Sequence, residues 1–312
     1  MAELKTRKTL VVAANESSYG TDASPTGAEA ILVSDVSLTP MSADTAERNN
    51  YKPYLGARPV VHTGIHVQLE FYVELAGSGD PVTPPGWGQL LRACGCAETI
   101  DSTSGSENVS YAPVSADEES ATLYTFIDGQ KHAMLGARGT WSLEMNSNSF
   151  PRIRFQFWGI YVDPASVAAP SPDFSVFRDP VVVDNTNTPT FTVHGYQGTL
   201  YKFSLEQGNS VTARNIPGDE SAIITDRQST GSIEIGAPAI AAQDFFTKAR
   251  NNDTGAVNIV HGTAAGNIVE LSLPAVQITE PNYGDQDGTR TLSLNLRALP
   301  ASGDDEWTIT TK

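Results

Sequence analysis

Hydrophobic and polar positions alternate along most of this chain in short runs, broken by Gly, Pro, Asn, Asp or Ser about every eight to fifteen residues. Alternation puts successive side chains on opposite faces of an extended backbone, the pattern of antiparallel strands with one buried face. The clearest run is Ile65–Glu74. Ile65, Val67, Leu69, Phe71 and Val73 fall on one face, and His66, Gln68, Glu70, Tyr72 and Glu74 on the other. Trp141–Met145 alternates likewise. A turn at Asn146–Ser149 follows, and Ile153–Phe157 reads as the returning strand of a hairpin. Leu292–Leu296 repeats the pattern late in the chain.

Helical spacing is rare. Pro84-Pro85 leads into Gly86–Cys94, where Trp87, Leu90, Leu91 and Cys94 recur at helical intervals and Gly95 supplies a stop. Ala241–Arg250 is the second helix, ended by Asn251-Asn252. Between them Val162–Pro180, dense in Pro, Ala and Ser, reads as a linker. It divides the chain into a first domain over 1–165, a linker over 166–180 and a second domain over 181–312. Each half runs strand, polar loop, alternating strand, short helix, closing hairpin, which marks an internal repeat. The loops hold Thr45-Ala46-Glu47-Arg48-Asn49 and Thr212-Ala213-Arg214-Asn215, and Asn49 and Asn215 are offset by 166 residues. That offset places Val67 on Ile233, Gln68 on Glu234 and Leu69 on Ile235. It preserves the alternation, which a one-residue slip would invert.

Composition narrows the function classes. Twenty Lys and Arg stand against 36 Asp and Glu, a formal charge of −16, so the surface as a whole does not grip nucleic-acid phosphates. Charged residues at 18% and hydrophobic ones at 39% exclude wholesale disorder. No apolar run approaches the roughly 20 residues of a membrane helix. The basic start MAELKTRKTL lacks the apolar core of a secretion signal. Cys94 and Cys96 are too close for an ordinary disulfide and too few for zinc, so both read as reduced thiols made in a cytosol.

Catalytic patterns are missing. His62 and His66 are four apart, but on an extended strand, where they cannot form a helical zinc site. No nucleophile elbow, P-loop or dinucleotide fingerprint occurs. Gly284–Thr289 lacks the ligand run of a calcium loop and reads as a hairpin turn. Cys94 falls at a helix C-terminus, whose dipole raises a thiol pKa, so it reads as a buried apolar group. Trp87, Phe155, Phe157, Phe245 and Phe246 read as helix-to-sheet core. These readings predict no enzyme, no metal and no cofactor.

The middle of the chain resembles a known family. Gly86–Gly95 is followed by Tyr111-Ala112-Pro113, Ala121-Thr122-Leu123-Tyr124, Asp128-Gly129-Gln130-Lys131-His132 and Gly136-Ala137-Arg138-Gly139. Pro151–Gly159 then precedes Tyr161. This order resembles the major tail (tail-tube) proteins of long-tailed bacteriophages, most densely from Gly86 to Pro164. The resemblance implies mainly β domains, each a β-sandwich or barrel-like sheet with one short flanking helix. It implies rings that stack into a hollow tube carrying DNA to the host. Members with two fused domains form three-membered, pseudo-sixfold rings, and the repeat places this chain with them. No tail-sheath signature is present, which favours a non-contractile tail. The implied partners are other copies of the chain and the tape-measure, tail-terminator and tail-tip proteins. DNA would pass through the lumen without specific binding, with no membrane involved. The implied location is the virion tail, after synthesis in the bacterial host cytoplasm. The alternative is a two-domain β-sandwich carbohydrate-binding or adhesin module, which needs an exposed aromatic platform from Trp87, Trp141 and Trp158. A β-rich hydrolase would need a nucleophile–base set that the chain does not offer.

Three groups of residues carry the tube reading. The long polar loops Pro40–Pro59 and Glu206–Ser221 correspond to the family loop that reaches the next ring, which assigns stacking to Thr45, Arg48, Asn49, Thr212, Arg214 and Asn215. The end segments Met1–Ser17 and Asp304–Lys312 are expected to dock on a neighbouring subunit, with Trp307 as the anchor. The sheet face opposite the core is expected to line the bore. It would present Gln68, Glu70, Glu74, Ser142 and Glu144 in the first half and Ser232, Glu234, Glu270 and Ser272 in the second. The mix is acidic and short-polar, a non-stick wall for DNA. Arg152, Arg154 and Arg297 share that face, and fit only if they pair with these acids or sit at ring joints.

Overall fold

The computed structural model describes residues 3–312. The chain is mainly β. Strands β1 (Thr9–Asn15), β2 (Ala30–Ile31), β3 (Ser34–Glu47) and β4 (Val60–Glu74) precede helix α1 (Gly88–Ala93). Then come β5 (Cys96–Asp101), β6 (Asn108–Pro113), β7 (Ala121–Ile127), β8 (Gln130–Asn146), β9 (Arg152–Tyr161) and β10 (Ala165–Ser166). The later part holds β11 (Thr190–Val193), β12 (Leu200–Glu206), β13 (Asn209–Ile216), β14 (Asp219–Arg227) and β15 (Thr230–Gly236). Helix α2 (Phe245–Asn251), β16 (Thr254–His261), β17 (Val269–Gln286), β18 (Thr289–Ala298) and β19 (Thr308–Thr311) complete it.

Local chemistry sets the joints. Asp128-Gly129 and Asp287-Gly288 all have positive φ, the left-handed pair that closes a tight two-residue hairpin. The second pair is the hairpin turn predicted at Gly284–Thr289. Both expected helices form, each shorter than its apolar spacing. Asp244 caps α2 by accepting from the Thr247 N–H at 2.9 Å, and Asn252 ends it in the left-handed region at φ 60°.

Hydrogen-bonded neighbours in the first half run β3-β4-β9-β8-β7-β1, all antiparallel. In the second they run β12-β15-β18-β17-β16-β11, again all antiparallel. One joint aligns the two series. Leu75 N–H donates to Pro151 O and Ala237 N–H to Arg290 O, each at 3.0 Å. Leu75 therefore corresponds to Ala237, and Phe71 rather than Val67 corresponds to Ile233. The offset of 166 is too long by an even number of residues, so the β15 residues that it aligned with β4 keep their predicted faces.

The halves are not side-by-side bodies. Edge strand β12 pairs with the end of β8, from Lys202↔Asn146 to Glu206↔Ser142. This makes one continuous eight-strand sheet, β3-β4-β9-β8-β12-β15-β18-β17. The long strands β8 and β17 bend at irregularities, near Gly136 and near Pro274-Ala275, and their first halves join other strands: β7 and β10 for β8, β16 and β19 for β17. Strand β19 also pairs with β6, tying β17 to the β5–β6 hairpin.

One hydrophobic cluster runs through both halves, from Phe71, Phe155 and Phe157 to Ile233, Leu294 and Ile309. Strand β1 corrects the expectation of an N-terminal arm. Thr9–Asn15 pairs with β7 along its whole length, Val11 and Ala13 in the main core and Leu10 and Val12 in a second small one. Met1 and Ala2 of that expected arm lie outside the described residues. The linker stretch lies on the first half: Asp173 N–H donates to Gly27 O at 2.8 Å, Arg178 Nε to Ser78 O at 2.9 Å, and Phe174 covers the second core.

Candidate functional site

The face of the eight-strand sheet turned away from the core is polar and arranged in cross-strand rows. One row reads Glu74, Arg152, Glu144, Ser204, Ser232, Asn295. The next reads Tyr72, Arg154, Ser142, Glu206, Thr230, Arg297. Others carry Ser37, Glu70, Gln156 and Thr140; Thr39, Gln68 and Trp158; and Lys202, Glu234 and Ser293. The structure thus brings Gln68, Glu70, Glu74, Ser142, Glu144, Ser232 and Glu234 onto one surface. Glu270 and Ser272 are not part of it. They precede the bend at Pro274 and sit in rows with Val260 and Thr310, and with Asn258 and Thr308. Glu270 pairs there with Lys312, and Ser272 Oγ donates to Asn258 Oδ1 at 2.9 Å.

The surface is less acidic than its glutamates promise, because its cations are mostly taken. Arg154 forks onto Glu70, Nε to Oε1 at 2.7 Å and Nη2 to Oε2 at 2.8 Å, and Gln156 Nε2 donates to Oε2 at 2.9 Å. The Arg154 fork holds the Glu70 carboxyl below its usual range. Arg152 Nη2 lies 3.4 Å from Glu144 Oε2, Nη1 lies 3.7 Å from Asp35, and the guanidinium sits over the Tyr72 ring at 4.3 Å. Arg297 Nη2 donates to Gln228 Oε1 at 3.4 Å. Glu234 Oε1 accepts from Thr291 Oγ1 at 2.8 Å. A guanidinium already forked on a carboxylate has no second fork for a phosphate. The face is partly paired rather than uniformly negative.

The two expected loops are hairpins. Strands β3 and β4 stay paired outward through Thr45↔His62 to Glu47↔Val60, leaving 48–59 as the tip. Arg48 and Asn49 open that tip, where Arg58 Nη1 donates to Asn49 Oδ1 at 2.8 Å. Tyr51, Tyr54 and Leu55 are exposed on it. In the second half β13 and β14 form a two-stranded sheet in which Thr212, Arg214 and Asn215 face Ile223, Ser221 and Glu220. Arg214 pairs with Asp219 at 3.0 Å, and Asn215 Nδ2 donates to Glu220 Oε1 at 3.3 Å. This hairpin lies against the first half, where Ala213, Arg214 and Ala222 share a small cavity with Gly64, His66 and Ile160. Ala222 N–H donates to the Tyr19 hydroxyl at 2.5 Å.

Trp307 is an anchor, but inside its own chain. It is fully buried, edge-on to Trp141 at 4.8 Å between centroids, and its Nε1 donates to Ser229 Oγ at 3.1 Å. Arg227 fixes the same segment through Asp304 at 2.8 Å, Glu306 at 3.1 Å and Val114 O at 2.8 Å. Within the subunit the ring is fully covered by its own chain, where the sequence led us to expect a neighbour. Sequence reasoning also missed the junction residues Gln207 and Asn209. Gly208, at φ 73° and with Gln228 O only 2.1 Å from where a Cβ would stand, lets the chain turn so that both enter the interior. Their amides both donate to Cys94 O at 2.7 Å, capping α1 from the other half. Cys94 and Cys96 are free and buried, and burial pushes the Cys96 thiol up to about 12.

The model of the phage tail tube protein family matches residues 6–298, nearly the whole of this chain. The chain belongs to that family. It is a structural component of the phage tail, of the kind that assembles with its own copies into the tube. No curated protein matches it. Among the described residues no helix is long and apolar enough to cross a membrane. The carbohydrate-module alternative loses its platform, because Trp87 and Trp141 are buried, and Trp158 is half-buried.

Proposed function

We propose that this tail tube protein forms three-membered, pseudo-sixfold rings that stack into the tube of a non-contractile tail and conduct DNA to the host. The family match over residues 6–298 carries the reading. The identical strand order of the two halves supports two tube units per chain, a first over 1–165 and a second over 181–312. The bore is lined by Gln68, Glu70, Glu74, Ser142, Glu144, Ser232 and Glu234. The β3–β4 tip, with Arg48 and Asn49, reaches the adjacent ring, and its exposed Tyr51, Tyr54 and Leu55 find their cover there. The chain is made in the host cytoplasm and caps its tubes with terminator and tip proteins around a tape-measure protein. It has no enzymatic role. Electron microscopy of the purified protein tests this: hollow tubes with three chains per ring are the expected result. A protein that stays dispersed at high concentration and in the presence of tail-tip complexes overturns it.

A further inference from the structure

Resting on the tube reading, we propose that the β13–β14 hairpin is a latch, stowed against its own subunit before assembly and swung out on a hinge at Gly208 to meet the adjacent ring. It is the second stacking hairpin of the chain, held out of use in the dispersed protein.

The correspondence of the halves identifies it. The joint at Leu75 and Ala237 aligns β4 with β14 and β15 together, and so β3 with β12 and β13 together. In the first half this hairpin is one unit: β3 and β4 stay paired from Ser34↔Tyr72 out to Glu47↔Val60, and the tip beyond is exposed throughout. In the second half both strands break at one level. Pairing runs to Glu206↔Thr230, lapses at Gln207-Gly208 and Gln228-Ser229, and resumes at Asn209↔Arg227. Beyond the break β13 and β14 form a sheet of their own, with no strand partner in the large sheet.

The break is built as a hinge. Gly208 turns the chain at φ 73°. Gln228 N–H donates to Gly208 O at 3.1 Å and Ser229 Oγ to Gln207 O at 2.9 Å, which ties the strands across the gap. Two residues of each strand absorb the turn, so the ladders on either side keep their bonds while the angle between them changes.

The contact that holds the hairpin down is thin. Of β13 and β14 only Asn209, at the hinge, and Ala222 are buried. Tyr19 and Arg138 clamp Ala222: the hydroxyl accepts from its N–H at 2.5 Å, and Arg138 Nη1 donates to its carbonyl at 3.4 Å. The guanidinium lies over the Tyr19 ring at 4.9 Å. Ile224 rests on Gly95, while Ala213 and Arg214 leave a small cavity over Gly64, His66 and Ile160. Small side chains over a residual cavity give up little on leaving. The tip moves as a unit, because Arg214 and Asn215 bind Asp219 and Glu220 within it. A dispersed subunit thus offers one stacking hairpin instead of two, until a ring end supplies the contacts that the clamp gives up.

The test locks the latch and loosens it. Ile160→Cys with Ala213→Cys, which line the same cavity, closes it by a disulfide formed in dispersed protein. The native cysteines are buried and stay inert. Locked chains should add to tube ends about tenfold more slowly than the parent, and reduction should restore the rate. Tyr19→Phe should act the other way, shortening the assembly lag about fivefold, since the clamp loses one hydrogen bond. Electron microscopy of parent tubes is the second measurement: β13–β14 should project toward the next ring in line with β12–β15. Tubes in which the hairpin still lies on Gly95 and Ile160, or locked chains that elongate at the parent rate, overturn the latch alone. A parent chain that forms no tubes overturns the tube reading with it.

Discussion

At the scale of single residues, Glu70 is the most informative side chain of the polar face. It neutralises Arg154 through two short bonds, so its loss frees a guanidinium as well as a carboxylate. Replacing it by lysine puts two unpaired cations side by side. Tubes of E70K should form, but DNA release from reconstituted particles should slow, most at low salt, where attraction to phosphate is least screened. Release equal to the parent at low salt would put Glu70 outside the bore. Acid has a related effect. Glu70 is held low chiefly by the Arg154 bonds, and Asp304 chiefly by the bond from Ser115. A depressed folded-state pKa stabilises above the ordinary carboxylate value of about 4, and that stabilisation disappears as pH falls through the lowered value. Melting temperature should therefore drop steeply below about pH 4, with a shallower slope in E70Q. The junction amides give a third outcome. Gln207→Ala and Asn209→Ala should each cost about 1 kcal/mol, since the other amide still serves Cys94 O. The double variant should exceed their sum in urea denaturation, because the buried carbonyl is then bare.

Elements differ in how far the sequence betrays them, and burial explains why. Strands β4, β8, β9 and β18 have one face in the core and one outside, and their alternation reads directly. Strand β1 is buried on both faces, so Thr9–Ala14 shows an apolar run with no period and passes for an arm. The outer part of β3 is wet on both faces, and β13 and β14 lay only a few small or polar residues on the first half. Their polar residues look like loop, although the backbone pairs as strand. Of the polar face, the alternation places all but Glu270 and Ser272, which a bend it cannot register turns away. Gln207 and Asn209 reach Cys94 across more than a hundred residues, and no local pattern announces that. The two hairpins lead to contrasting deletions. Glu47 and Val60 are directly paired, so replacing 48–59 by Asn-Gly closes a normal hairpin. The subunit should melt within a few degrees of the parent yet fail to build tubes, as checked by calorimetry and electron microscopy. Removing the β13–β14 hairpin should instead lower stability, because it packs on the first half.

For the whole molecule, the eight-strand sheet and the β19 stitch make the halves one cooperative body despite their repeated design. Trp307→Ala should destabilise the isolated subunit by about 3–5 kcal/mol, with a single unfolding transition still seen by two probes. An unchanged subunit would mean that this ring works only on a neighbour. The same body explains why net charge says little about the polar face: the acidity of the chain is spread over its surface, whereas on that face Arg154 pairs with Glu70 and Arg152 with Glu144.

Strand β19 has a consequence in time. Nascent protein emerges from the N-terminal side, so all the other strands are made before β19 can slide between β17 and β6. Its contact with Val109 spans 202 residues of chain, which makes it among the slowest closures of the fold. A chain cut short by a broken message therefore presents an open seam and an empty tryptophan slot. Such a fragment should be cut by added protease faster than the parent, because the seam and the slot leave core surface open.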